Sequence, residues 1–113
     1  MRHWAEVEAR DYLTAQGYRI LAQNYTVRGA EIDLVAEKDG KIVVAEVKQR
    51  RSARYGAPAE MITRKKLARL QDAALLFLAA EFGRDDLPLR FDALLVSGDR
   101  EAYRLEHLEG IGF

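Results

Sequence analysis

A chain of 113 residues is enough for one packed domain and too short for two of ordinary size, and 49% hydrophobic with 32% charged residues marks a globular rather than a disordered protein. Cysteine is absent, which excludes disulfides and thiolate metal sites and is compatible with a reducing cytoplasm, the expected location. The formal net charge is zero, yet between Lys48 and Arg69 eight basic residues stand against one acid, Glu60, so negative charge must collect elsewhere.

The N-terminal stretch "MRHWAEVEARDYL" carries charges every few residues and no apolar run, so neither a signal peptide nor a membrane span is expected there. Residues from about 3 to 16 read as a helix with Ala5, Ala9, Tyr12 and Leu13 on one side, Glu6 at the edge of that side and Gly17 as the stop. A β-rich run, "YRILAQNYTV", and the turn "RGA" follow. Next come two strands in "IDLVAEKDGKIVVAEVK", residues 32 to 48, joined at Asp39-Gly40, among the strongest short hairpin signals.

A basic loop, "QRRSARYGAP", leads to a long helix ending near Gly83, with Leu67, Leu70, Ala74, Phe77 and Leu78 on one face. Two starts are open for it. With Thr63 as N-cap, Arg64, Lys65 and Lys66 would occupy the first turn, against the helix dipole at roughly 0.3 to 1 kcal/mol each unless an anion faces them. With Pro58 at the first position and Glu60 behind it that cost disappears, and this start is preferred. "LRFDALLVSGDREAYRLEHL" supplies a fourth strand, a turn at Gly98-Asp99 and a fifth strand. The order αβββαβ(β) predicts one α/β domain over residues 1–113, with four to five strands and flanking helices.

A two-residue turn at Asp39-Gly40 pairs Lys38 with Lys41 and, counting outward, Val35 with Val44, Asp33 with Glu46 and Glu31 with Lys48, all on one face. The other face carries Ile32, Leu34 and Ala36 against Val43, Ala45 and Val47 and must be covered by a helix. Opposed carboxylates with Cβ atoms roughly 4.5 to 5.5 Å apart destabilise a sheet unless a proton, a base or a divalent cation intervenes. The cation fits best: Asp33 and Glu46 with water offer the hard oxygens that Mg²⁺ prefers, with Mn²⁺ as a substitute. Lys48 projects on the same face and can orient an attacking water and offset charge on a pentacovalent phosphorus. The plain alternative is a Glu31–Lys48 ion pair with exposed Asp33 and Glu46.

Asp followed by Glu-x-Lys on the next strand resembles the signature of the PD-(D/E)xK nucleases, the restriction-endonuclease-like superfamily. The stretches "AEVEARDYLTAQGYRILAQNY", "AEIDLVA", "VVAEVKQR", "YGAPAE", "KKLARLQDAALLFLA" and "RFDALLV", in this order over nearly the whole chain, look like the YraN-like family of small uncharacterised bacterial proteins. That family is similar to archaeal Holliday-junction resolvases. The resemblance implies a restriction-endonuclease-like fold with a central mixed sheet. It places Asp33, Glu46 and Lys48 at the three core positions and Glu6 at the acidic position of the first helix. The family usually reads Gly-Glu where this chain has Ala5-Glu6 and Ala30-Glu31, so an added methyl at each would narrow the site.

Two expectations from different classes follow. The first is a Mg²⁺-dependent endonuclease cleaving DNA phosphodiesters, at branched or distorted sites, with Asp33 and Glu46 on the metal, Lys48 on the water and Glu6 supporting. Arg50, Arg51, Arg54, Lys65, Lys66 and Arg69 would contact backbone phosphates. A junction-cutting role would favour a two-fold homodimer. The second is a non-catalytic nucleic-acid-binding or assembly module on the same fold. Tyr55-Gly56 could stack on a base or pack on the fold. Asp92 reads as a structural partner for a nearby base, Trp4 as packing, and His3 and His107 as incidental, having no metal-ligand spacing.

Overall fold

The computed structural model describes residues 3–50, 63–84 and 86–111, and of Arg50 the backbone alone. Arg51, Arg54, Tyr55, Gly56, Pro58 and Glu60 lie outside the described residues, as does the Arg50 side chain. The elements are α1 (Trp4–Ala15), β1 (Arg19–Val27), β2 (Ala30–Lys38), β3 (Lys41–Arg50), α2 (Arg64–Phe82), β4 (Leu89–Asp99) and β5 (Ala102–Leu108). The α/β order αβββαββ is the expected one, with the fifth strand present.

Two turns set the register of the N-terminal meander. Arg28-Gly29 and Asp39-Gly40 both place two successive residues at positive φ (50° and 78°, 54° and 78°), the mirror-image geometry that matches the twist of a tight hairpin. Val27 therefore pairs with Ala30, and Lys38 with Lys41. The five strands lie side by side in chain order, antiparallel except for the parallel pair β3–β4, so the sheet is mixed. A parallel pair cannot be closed by a tight turn, and α2 falls between its two strands in sequence.

Period-two alternation divides the core. Val35, Ile42, Val44 and Phe91 pack with Leu70, Ala73, Ala74, Phe77 and Leu78 of α2. Leu34, Ala36, Val43, Ala45 and Leu94 pack with Ala9 and Leu13 of α1. The helices thus cover opposite faces, as the two apolar stripes require. Phe77 meets Tyr25 edge to face with centroids 5.1 Å apart. No helix among the described residues is long and apolar enough to cross a membrane.

Three expectations need correcting. Ile32, assigned to the face of Leu34 and Ala36, instead packs in the α2 cluster. Between the pairs Gln23↔Leu34 and Tyr25↔Ile32 the β1–β2 ladder passes over Asn24 and Asp33, and Asn24 has φ 49°, so strict alternation does not carry through this point. The start of α2 is Thr63, not Pro58: the Thr63 hydroxyl accepts from the Lys66 N–H at 3.1 Å, and Arg64, Lys65 and Lys66 do form the first turn. The β4–β5 turn runs through Arg100-Glu101 rather than Gly98-Asp99. Gly98 stays in the strand opposite Tyr103 with φ 103°, and Asp99 Oδ1 accepts from the Ala102 N–H at 3.0 Å.

Candidate functional site

The β2–β3 ladder holds its expected register from Lys38↔Lys41 to Leu34↔Ala45 and ends there. Beyond that pair, side chains replace the backbone bonds. The Asp33 N–H donates to Glu46 Oε2 at 3.1 Å, and the Val47 N–H donates to Asp33 Oδ2 at 2.8 Å. Each carboxylate thus holds the opposite strand with one oxygen, at the point where the ladder opens. Ladder ends leave amide donors that need an acceptor, and an ionised carboxylate makes a strong one.

Glu46 is only 2% exposed and Asp33 beside it is half-buried. Burial, and then the neighbouring Asp33 charge, push the Glu46 carboxyl up to about 7, against the Asp33 N–H and Lys66, which act to lower it. Burial also raises Asp33, opposed by the Val47 N–H bond and by Lys66. The arrangement is an acid pair short of positive charge.

Lys66 supplies part of it. From the first turn of α2 its Nζ stands 3.3 Å from Glu46 Oε1. It also contacts Lys48, and the two lysines split: burial and then Lys66 hold Lys48 below the ordinary lysine range. Burial works to lower Lys66 too, but its contacts with Lys48 and Glu46 outweigh that and raise it. Glu46 is therefore the anion that explains a basic first turn on α2. Lys66, expected to contact phosphate, pairs here with Glu46. The available signal was a cluster of first-turn cations with no local acid. The alternative Glu31–Lys48 ion pair does not form among the described residues.

Glu6 lies on α1, on the opposite face from α2, and accepts from Asn24 Nδ2 at 2.8 Å. Asn24 is the β1 residue beside Asp33 where the ladder is interrupted, so Glu6 approaches the pair through Asn24. Among the described residues no three His, Asp or Glu side chains converge as a metal-binding group. Lys65 and Arg69 are exposed and, with Lys66, Thr63, Gly29, Ala30 and Glu31, line a cleft of about 220 Å³ beside the acid pair's helix. The Ala5 methyl is buried and that of Ala30 packs on the α2 core at the edge of this cleft, so both serve as apolar packing.

A second polar cluster sits on the α1 face. Asp92 is 1% exposed and accepts from Arg90 Nε at 2.9 Å, Arg90 Nη2 at 2.8 Å and the Gly110 N–H at 3.0 Å. Its Oδ2 also lies 2.7 Å from His107 Nε2. His107 Nδ1 is 3.1 Å from the Tyr12 hydroxyl, and Arg90 Nη2 donates to the Tyr18 hydroxyl at 2.6 Å. Asp92 is a structural partner for a base, as expected. His107 is not incidental, since it ties β5 to both β4 and α1. Trp4 packs on Tyr103 with centroids 5.5 Å apart, and His3 caps α1 by accepting from the Ala5 N–H at 3.2 Å.

The raised Glu46 carboxyl fixes the sign of a pH effect. Its folded value lies above the usual 4.5, so its contribution to stability is whole below about pH 4.5 and is lost as pH rises through about 7. In metal-free buffer, stability should fall by on the order of 3 kcal/mol at most across this window. Glu46→Gln should flatten that fall. Thermal unfolding at a series of pH values checks it, and an equally steep slope in Glu46→Gln would assign the effect elsewhere.

The profile of the uncharacterised protein family UPF0102 matches residues 5–96. The UPF0102 protein TTHA0372 of Thermus thermophilus is 52% identical over 105 residues, covering 93% of this chain and 90% of its own. A UPF0102 protein of Deinococcus radiodurans is 44% identical over 105 residues, covering 92% of this chain and 85% of its own. Matching over most of its length at these identities, the chain belongs to the uncharacterised protein family UPF0102.

Proposed function

We propose that this protein is a divalent-cation-dependent nuclease of the PD-(D/E)xK type, hydrolysing nucleic-acid phosphodiesters, with branched or distorted DNA as the first substrate to test. The observation that carries the reading is the acid pair at the opened end of β2–β3. Buried Glu46 and half-buried Asp33 each commit one oxygen to a backbone amide and leave Asp33 Oδ1 and, beside Lys66, Glu46 Oε1 for another partner. That donor set fits Mg²⁺ or Mn²⁺, hard ions that accept few protein oxygens and keep several waters. When bound, the ion would neutralise charge on the phosphate and acidify a water.

The chain's own groups would do the rest. Lys48 would orient the attacking water and offset charge developing on phosphorus, the water's proton passing to solvent. Water oxygen bonds to phosphorus as the bond to the leaving sugar oxygen breaks, and solvent protonates that oxygen. Lys65 and Arg69 hold backbone phosphates along the adjoining cleft. Glu6, which accepts from Asn24, would support the ion or its water shell from the α1 side. Cutting two strands symmetrically would call for a homodimer.

A second reading is a nucleic-acid-binding or assembly module that keeps the fold. The Glu46–Lys66 ion pair favours it, because a cation already balances one acid. Calorimetric titration with Mg²⁺ and with Mn²⁺ tests the first reading: binding is expected in the parent and should vanish in Asp33→Asn and Glu46→Gln. Binding that survives both substitutions overturns the site. Metal binding without nicking of duplex, flap or four-way DNA moves the module reading ahead.

A further inference from the structure

The acid pair already has a cation within reach, and it comes from the helix rather than from the strands. Lys66 Nζ lies 3.3 Å from Glu46 Oε1, the one Glu46 oxygen not engaged by a backbone amide. A divalent ion bridging Asp33 and Glu46 would need that same oxygen. Lys66 is therefore a competitor for the metal position, and it is half-exposed, with 38% of its side chain open to solvent. It also lines the cleft that holds Lys65 and Arg69, so the ammonium stands between the acid pair and the cleft. A lysine side chain has four rotatable bonds and can swing between two such partners without moving the backbone.

We propose that Lys66 is the resident counter-ion of the acid pair in the metal-free protein, and that a divalent cation displaces it into the cleft, where it becomes a phosphate ligand. The proposal rests on the metal-dependent reading above and adds a regulatory link to it. Metal entry and nucleic-acid binding then reinforce each other, because a bound ion frees a cation for phosphate. By reciprocity, phosphate that holds Lys66 raises metal affinity. The link also accounts for Lys65 and Lys66 standing together in the first turn. Lys65 and Arg69 serve the cleft at all times, and Lys66 serves it only once its place is taken.

Titration calorimetry of the full chain with Mn²⁺ alone tests the competition. Lys66→Gln is expected to bind Mn²⁺ about tenfold more tightly than the parent, because no ammonium contests Glu46 Oε1, and Lys66→Arg should stay within about threefold of the parent. Equal or weaker binding in Lys66→Gln overturns the exchange and leaves the metal site standing. No heat in either the parent or Lys66→Gln overturns both.

Should Lys66→Gln fail to fold, the parent supplies a second measurement. With lysine labelled at Cε, saturating Mg²⁺ should shift the Lys66 resonance toward that of exposed lysines and leave Lys65 unmoved. A Lys66 resonance that stays in place overturns the exchange. The phosphate half is read in a Lys48→Ala background, where slowed nicking leaves time to measure binding. There Mg²⁺ should steepen the salt dependence of duplex binding by about one unit of slope. An unchanged slope overturns that half.

Discussion

Lys48→Ala is expected to nick DNA about 10²- to 10³-fold more slowly than the parent protein while still binding Mg²⁺. Asp33→Asn should lose nicking and metal binding together. The contrast follows from where the two side chains stand. Asp33 shares its charge with Glu46 at the opened end of the ladder, so removing it dismantles the site for the ion. Lys48 touches that site from the same face but gives no oxygen to it. It follows Glu46 by two residues on β3, where it would orient the attacking water and offset charge developing on the phosphate. Nicking assays beside calorimetry separate the two effects. A Lys48→Ala protein that cuts at the parent rate would remove lysine from the chemistry, and one that also loses metal would make its role electrostatic support.

The largest stability loss is expected at Asp92. Removing one partner of a buried charged cluster leaves the others uncompensated, at about 3 to 5 kcal/mol. Asp92→Ala would remove the buried acceptor that Arg90, His107 and the Gly110 N–H share. Burial works to raise the Asp92 carboxyl, yet bonds from His107, Arg90 and Gly110 outweigh it and hold the group below the usual carboxylate range. That contribution is present above the ordinary value and is lost as pH falls through the depressed one, opposite in sign to Glu46. Urea unfolding at neutral pH measures the loss. Because Asp92 lies on the α1 face and the acid pair on the α2 face, a folded Asp92→Asn should bind Mn²⁺ as the parent does.

How much could be seen in advance depended on the range of the interaction. Asp39-Gly40 is a local signal with one dominant geometry, so the pairing of Lys38 with Lys41, and with it the approach of Asp33 to Glu46, followed from a dipeptide. The apolar stripe of α2 was equally local, and Leu70, Ala74, Phe77 and Leu78 are all buried. Ile32 was misplaced because the break in alternation depends on the backbone of Asn24, in another strand, taking a positive φ. The α2 start was misjudged because the anion that tolerates a basic first turn is Glu46, which reaches Lys66 only when helix and sheet pack. His107 meets Tyr12 across nearly the whole chain, beyond any spacing rule. At the β4–β5 turn a glycine was taken as the corner, although this one relieves a strained strand position.

The parallel seam between β3 and β4 also bears on the order in which the chain acquires its parts. The β1–β2 and β2–β3 hairpins close over two-residue turns, whereas joining Ile42 to Leu89 requires the intervening chain to be gathered first. Asp33 and Glu46 belong to the quick hairpin, and Lys66 belongs to the slow crossover. Until α2 docks, Lys48 alone offsets the two anions, and Lys66 adds its charge only when the crossover is complete.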